Sequence, residues 1–180
     1  MITQTLKSLP SKNCCFVYGT LMSQEVQHAL IGRVPNRISK AYLSGNYSRH
    51  PVLGQVYPGV IRKDYTASTA DAVTVAELED NGVSGTILMD LDDHEMKIFD
   101  WFEDVEYERQ IVPIYSIGEE DGKVNVLDTN VYIWVAGESQ LDLTMTWDYE
   151  KFRSTQLEWY LEHTVIPCRQ EINKLGLNAL

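Results

Sequence analysis

The sequence is poor in basic residues. It contains 15 lysines and arginines against 26 aspartates and glutamates, which gives a formal net charge of −11. Proteins that bind nucleic acid or an anionic membrane surface need clustered cations, because those cations displace counterions. The charge balance therefore argues against both kinds of partner and favours solubility.

Long apolar runs and paired cysteines are also missing. No segment approaches the roughly 20 apolar residues that cross a bilayer, and residues 1–15 lack the apolar run of a signal peptide. The three cysteines, Cys14, Cys15 and Cys168, are a poor disulfide framework because their number is odd and two are adjacent. We predict a reduced, cytoplasmic protein. No cysteine or histidine spacing indicates a metal site, and we expect no cofactor.

The residues that are present indicate a folded chain. The hydrophobic fraction is 44%, and there are ten tyrosines and four tryptophans, which argues against disorder. A length of 180 residues fits one domain with a core of its own. We predict a loose leader over residues 1–13 and a single domain over 14–180, and leave the oligomeric state open.

Most of the predicted elements are short strands. Residues 14–18 indicate a buried strand, 41–62 short strands joined by turns, and 107–136 a hairpin followed by a further strand. Residues 66–83 are polar and small, and indicate a surface loop. Many strands with few, unevenly spaced helices predict an α+β fold. The geometry we favour is a small mixed, mainly antiparallel β-barrel with flanking helices.

Three helices are predicted around these strands. Ser23 suits the N-cap of the first, which Gly32 ends. Asp92 begins the second, with Glu95 completing a capping box. The third covers about residues 148–166, and Pro167 is expected to break it.

The loop from Tyr18 to Ser23 is the first candidate site. A strand that ends in Gly-Thr and enters a helix exposes several amide N–H groups, which can hold a carboxylate or a polarised carbonyl oxygen. Many strand-to-helix turns of this composition bind nothing, and the loop has neither a P-loop nor a dinucleotide-binding pattern. The loop alone therefore leaves both interpretations open.

The second candidate is Glu103. At about 100° per residue, it falls between Met96 and Phe99 on the apolar face of its helix. Burial and neighbouring acids would raise the pKa of such a carboxyl group towards the range of a proton shuttle. The alternative is that Glu103 ends its helix and points to solvent, as most glutamates do.

Together, the two candidates resemble a known family. The segments FVYGTLM, YPGVI, VSGTILMDL and FDWFEDVEYERQIV occur in this order over about residues 14–136. They resemble the gamma-glutamylcyclotransferase-like family, in particular its branch of plant avirulence-induced and gamma-glutamylamine-cyclotransferase proteins. The resemblance implies a small mixed barrel with flanking helices and an enzyme that releases 5-oxoproline from gamma-glutamyl compounds.

The resemblance also implies roles for particular residues. The Tyr-Gly-Thr-Leu loop would cradle the substrate, and Glu103 would be the general acid/base. Tyr107 and Arg109 match the following Tyr-x-Arg and would support the site by pairing or stacking. Asp104 stands where the family often has glycine, which changes the backbone turn and the charge beside the glutamate. The implied substrate-binding residues are Tyr18, Gly19, Thr20, Leu21, Met22 and Ser23.

Three functions are consistent with these residues. The first is a cyclotransferase, in which the α-amine of a gamma-glutamyl compound attacks its own γ-carbonyl. The second is a non-catalytic protein that binds a small acid or gamma-glutamyl peptide in the same pocket. The third is a different hydrolytic or transfer reaction in that pocket. In the first reaction both reacting groups belong to one bound molecule, so the enzyme must mainly hold them in the right orientation. This reaction therefore requires neither metal nor nucleotide.

Overall fold

The structure is a computed structural model that describes residues 14–63 and 73–176. The predicted leader over residues 1–13 lies outside the described residues, as does the first part of the loop predicted at 66–83. Its later part is not a loop, because Val75–Asn81 form a helix with Thr74 and Glu77 in a capping box.

Five strands close into a barrel, and two more form a separate hairpin. The barrel order is β1-β5-β2-β6-β7, and β3 pairs only with β4. Strands β1 and β7 pair in parallel, whereas the other barrel pairs are antiparallel. The predicted α+β fold with a mixed, mainly antiparallel barrel is confirmed. The strands are β1 (Cys15–Val17), β2 (Arg37–Leu43), β3 (Tyr47–Pro51), β4 (Pro58–Arg62), β5 (Val83–Leu88), β6 (Tyr107–Ile117) and β7 (Val124–Trp134).

The predicted hairpin is the longest feature of the barrel. Strands β6 and β7 pair without interruption from Tyr107 opposite Trp134 to Ile117 opposite Val124. The further strand expected after the hairpin is not separate. It is the second half of β7. This part of β7 also pairs with β1, and that pairing closes the barrel.

Helices cover one side of the barrel. Ser23 caps the first helix and Gly32 ends it at a positive φ, while Asp92 and Glu95 form the expected capping box. Pro167 does not break the last helix. It is the second residue of α6, which directly follows a π-helical turn over Leu161–Val165, where the hydrogen-bond pattern of the helix already changes. The helices are α1 (Gln24–Ile31), α2 (Val75–Asn81), α3 (Asp93–Glu103), α4 (Tyr149–Thr155), α5 (Leu157–Tyr160) and α6 (Ile166–Lys174), with a π-helical turn over Leu161–Val165.

Strand β1 is buried on both faces, which explains its continuous apolar sequence. Phe16 packs with residues of the other barrel strands, in the barrel interior. Cys15 and Val17 point the opposite way and pack with α1, α3 and the carboxy-terminal helices. The loop that follows β1 therefore emerges between the barrel and its helices.

No disulfide joins the cysteines that the structure describes. Within residues 14–63 and 73–176, no helix has the length and apolar character needed to cross a membrane.

Candidate active site

A cavity of about 180 Å³ opens where β1 ends, between the barrel and the helices. One water needs roughly 10–15 Å³ of such space, so the cavity has room for a small organic molecule. Its walls come from β1 and its loop, the start of β4, the end of α3, β6, β7 and the carboxy-terminal helix. The lining residues are Phe16, Val17, Tyr18, Gly19, Thr20, Leu21, Tyr57, Pro58, Phe102, Glu103, Asp104, Glu106, Tyr107, Tyr132, Tyr160, Thr164 and Cys168.

The structure brings most of the predicted site residues to this cavity. The loop from Tyr18 to Leu21 lines it, and so do Glu103 and Tyr107. The two candidate sites, more than 80 positions apart in sequence, thus face one space.

Three of the predicted residues are outside the cavity lining. Met22 packs against the core between barrel and helices. The Ser23 hydroxyl accepts from the Val26 amide and so caps α1. Arg109 forms an ion pair of 2.8 Å with Asp100, which does not line the cavity either. These contacts give all three residues structural tasks beside the site.

Two carbonyl groups of the loop accept backbone hydrogen bonds, and these bonds fix the orientation of the loop peptides. The Gly19 carbonyl accepts from the Met22 amide at 3.0 Å, and the Thr20 carbonyl accepts from the Ser23 amide at 3.1 Å. In a planar trans peptide the N–H points opposite to the C=O. The two hydrogen bonds therefore also fix the direction of the N–H groups of Thr20 and Leu21. Within the described residues these two amides have no protein acceptor, as expected for the first turn of a 3-10 helix.

Glu103 is the last residue of α3, yet it faces the cavity rather than open solvent. Burial, and to a lesser extent the charge of Glu106, raises the pKa of its carboxyl group to about 8. Among the residues that the structure describes, none forms a hydrogen bond or ion pair with this carboxyl group. A carboxyl group with these properties can both accept and return a proton near neutral pH.

Tyrosine hydroxyls surround the carboxyl group, and most are already bonded to the protein. Tyr18 donates to the Tyr132 carbonyl oxygen at 2.5 Å, and Tyr107 donates to the Pro58 carbonyl oxygen at 2.8 Å. Tyr57 donates to Glu106 at 3.1 Å. Burial raises the pKa of all these phenols, so they stay protonated and uncharged. They form a polar wall of the cavity, and their hydroxyl donors are already used within the protein.

Replacing Glu106 with glutamine is expected to lower the pKa of the Glu103 carboxyl group. The change removes a nearby negative charge that disfavours ionisation of Glu103 and retains the side-chain volume. A ¹³C-NMR titration of the side-chain carboxyl groups measures the shift. Glu108→Gln, on the exposed side of β6, is the control and should leave the Glu103 titration unchanged. If the pKa of Glu103 is unaltered in Glu106→Gln, the charge of Glu106 does not contribute to the raised pKa of Glu103.

Asp104 adopts a conformation that suits glycine. Its φ is 56° and its ψ is −163°, at the edge of a region that residues with a Cβ avoid. Its side chain accepts from the Val105 amide at 2.7 Å. The chain therefore makes the turn after Glu103 despite the substitution, at a cost in backbone strain.

The change Asp104→Gly is expected to increase the free energy of unfolding by about 0.5–1 kcal/mol. Release of roughly 1–3 kcal/mol of strain is partly offset by the lost hydrogen bond and by the freer unfolded chain. Urea denaturation measures the difference. Asp93→Gly, at an ordinary helical position of α3, should instead destabilise the protein. Equal destabilisation by both changes would show that Asp104 is not strained.

The carboxy-terminal helix provides cavity residues that the sequence reasoning did not single out. Tyr160, Thr164 and Cys168 recur every four positions, and all three line the cavity. Thr20 donates to the Tyr160 hydroxyl at 3.3 Å, which ties this helix to the loop. Burial raises the pKa of the Cys168 thiol to about 11. The spacing of four is the sequence signal that would have identified this wall.

The carboxyl and thiol groups that line the cavity are not arranged as a metal site. Within residues 14–63 and 73–176, no cluster of three or more His, Cys, Asp or Glu side chains could hold a metal ion.

Comparison with known proteins gives a consistent result. The sequence profile of the family described as "Gamma-glutamyl cyclotransferase, AIG2-like" matches residues 15–151. AIG2-like protein D of Arabidopsis thaliana is 33% identical over 149 residues, which cover 83% of this chain and 84% of that protein. AIG2-like protein C of the same organism is also 33% identical over 149 residues, covering 83% and 74%.

Two solution structures of Arabidopsis thaliana proteins share the fold. One has a TM-score of 0.53 at 24% identity and covers 83% of this chain and 86% of that chain. The other has a TM-score of 0.53 at 23% identity and covers 94% and 90%. The match over residues 15–151 takes in both the loop after β1 and the glutamate that ends α3. The chain therefore belongs to the AIG2-like gamma-glutamyl cyclotransferase family.

Proposed function

We propose that this protein is an enzyme that converts a gamma-glutamyl compound into 5-oxoproline and a free amine. Membership of the family supports a function of the gamma-glutamyl cyclotransferase type. The observation that carries the proposal to particular residues is the cavity itself. It presents Glu103, whose carboxyl pKa is about 8, to the same space as the loop amides.

In the first step, the α-amine of the substrate attacks its own γ-carbonyl carbon. A carbon–nitrogen bond forms, the carbonyl π-electrons move to the oxygen, and the amine proton passes to the ionised Glu103. The N–H groups of Thr20 and Leu21 donate to the developing oxyanion. Such preorganised donors are worth most where charge appears only in the transition state.

In the second step, the oxyanion re-forms the carbonyl group and the γ-amide bond breaks. Glu103 returns its proton to the departing nitrogen, which leaves as a neutral amine. The carboxyl group is then ionised again, ready for the next substrate. A pKa near the working pH suits a group that must act as base and then as acid.

Nothing in this sequence of steps requires a cofactor. Both reacting groups belong to one bound molecule, and holding them in contact replaces a bimolecular encounter. The proposed partner is therefore a small gamma-glutamyl compound alone. A cytoplasmic location, and a single domain over residues 14–180 that includes the carboxy-terminal helix, are parts of the same proposal.

A panel of gamma-glutamyl amines, peptides and amino acids tests the activity. Each compound is incubated with the purified full chain, and 5-oxoproline is measured by mass spectrometry. We expect release from at least one class of compound. Failure of every class to react would contradict the proposed enzyme.

The alternative is a non-catalytic protein that binds a small acid or gamma-glutamyl peptide in the same pocket. The observation in its favour is Asp104, which adds a carboxylate to the cavity where the family often has glycine. Calorimetry with 5-oxoproline separates the two functions. Binding without turnover of any compound would favour this alternative.

A further inference from the structure

Arg49 contacts the loop that follows β1 but does not line the cavity. It lies on β3, and its Nη1 donates to the Tyr18 carbonyl oxygen at 2.7 Å and to the Ser84 carbonyl oxygen at 3.2 Å. Its guanidinium carbon is 5.6 Å from the ring centroid of Trp147, at cation–π distance. The side chain thereby spans the end of β1, the start of β5 and the segment before α4.

The guanidinium of Arg49 is bonded to carbonyl groups and not to acids. Within the described residues, no carboxylate forms an ion pair with it, and its buried Nε has no hydrogen-bond acceptor. Burial lowers the pKa of the guanidinium, which reflects the cost of placing a charge there, and the negative charge of Asp148 offsets part of this cost. A side chain that served packing alone would avoid that cost.

The contact with Tyr18 fixes the direction of the next amide. The Tyr18 carbonyl and the Gly19 N–H belong to one planar trans peptide, so the N–H points away from Arg49. Gly19 lines the cavity, and in the described part of the chain its amide has no protein acceptor. Hydrogen bonding to a cation also polarises the peptide, which strengthens its N–H as a donor.

The other peptides of the loop are held differently. The carbonyl groups of Gly19 and Thr20 accept from backbone amides, and that of Leu21 accepts from the Gln27 side-chain amide at 2.7 Å. Among the described contacts of these four carbonyl groups, Arg49 is the charged donor. The Gly19 amide therefore belongs to the peptide of this loop whose carbonyl group accepts from a cation.

We propose that Arg49 is a positioning residue for the reaction, which orients and strengthens the Gly19 N–H as a donor to the substrate oxyanion. This inference rests on the proposed cyclotransferase function. It adds a third amide to those of Thr20 and Leu21, and it gives β3 a part in the site although Arg49 contacts no reacting atom.

The experiment compares Arg49→Ala and Arg49→Gln with Arg33→Ala. Arg33 is a matched control because it also donates to a backbone carbonyl, that of Asp90 at 2.6 Å, but Asp90 is not part of the loop that lines the cavity. A misaligned oxyanion donor is expected to lower kcat by about 10–100-fold, with KM changed by less than about threefold. Arg33→Ala loses its pair with Glu95 and some stability, but retains kcat.

Chemical rescue separates positioning from packing. Methylguanidinium added to Arg49→Ala is expected to recover part of kcat, because it can occupy the vacated space and donate to the Tyr18 carbonyl. It should leave Glu103→Gln inactive. Thermal unfolding establishes that each variant is folded. If Arg49→Ala does not fold, kcat is compared in Arg49→Gln, which keeps much of the side-chain volume.

The failures of the two proposals are distinguishable. Wild-type kcat in a folded Arg49→Gln, beside an inactive Glu103→Gln, would overturn the role of Arg49 alone. An equal loss of kcat in Arg33→Ala, or a loss confined to KM, would also overturn it. If the wild-type chain releases no 5-oxoproline from any gamma-glutamyl compound, the cyclotransferase function fails and this inference fails with it.

Discussion

Replacing Glu103 with glutamine is expected to lower kcat by a factor of about 10²–10⁴ while the fold is retained, since that is the usual contribution of a general acid–base group. Glutamine has the same shape but cannot take the proton from the attacking amine or return one to the leaving nitrogen. Because the carboxyl group has no hydrogen-bond partner among the described residues, the substitution removes no structural contact.

The matched control is Glu108→Gln, an exposed carboxylate on β6 five positions along the chain. It makes the same chemical change outside the cavity and should retain wild-type kcat. A folded Glu103→Gln with wild-type turnover would contradict the role of Glu103, whatever the control shows.

The same substitution is expected to stabilise the protein at alkaline pH. The folded state raises the pKa of the carboxyl group from 4.5 to about 8, so folded chains retain the proton that unfolded chains lose. Stability therefore falls as pH rises from about 4.5 to 8 in the wild type. Glutamine removes this loss, and melting temperatures of the two chains should diverge over that interval.

The second large effect is on the pH dependence of the reaction. Below a pKa of about 8, kcat/KM is expected to rise at least tenfold per pH unit, because Glu103 must be ionised to act as the base. Above the pKa values of Glu103 and of the substrate amine it should become constant. A profile already constant above pH 5 would show that no group of this pKa is required.

The α-amine of the substrate also titrates near this range, with a reference pKa of about 8. Glu106→Gln separates the two groups. It lowers the pKa of Glu103 but cannot alter that of the free substrate, so the ascending limb should move to lower pH. If the ascending limb of the kcat/KM profile does not move, the group that titrates is the α-amine of the substrate and not Glu103.

The local features of the fold could be predicted from the sequence because each depends on a few neighbouring residues. Ser23 and Gly32 bound α1 through hydrogen bonds within one turn, and Asp92 does the same at α3. The two faces of β1 are both buried, and its sequence is accordingly apolar throughout. The apolar-face position of Glu103 followed from helical periodicity in the same way.

The walls of the cavity could not be predicted in this way. Tyr160 reaches Thr20 across 140 positions, and no local pattern encodes that contact. Arg49 was unremarkable in a strand of polar residues, since its importance comes from the Tyr18 carbonyl that tertiary packing places beside it. The predicted break at Pro167 is wrong because the helix continues through it directly after a π-helical turn, which no pattern in the sequence indicates.

Isotope labelling distinguishes cyclisation from hydrolysis in this cavity. The wild-type chain is incubated with a reactive gamma-glutamyl compound in H₂¹⁸O, and the glutamyl product is analysed by mass spectrometry. Intramolecular attack by the α-amine predicts 5-oxoproline that contains no ¹⁸O. Glutamate carrying one ¹⁸O would show hydrolysis by water and would contradict the account.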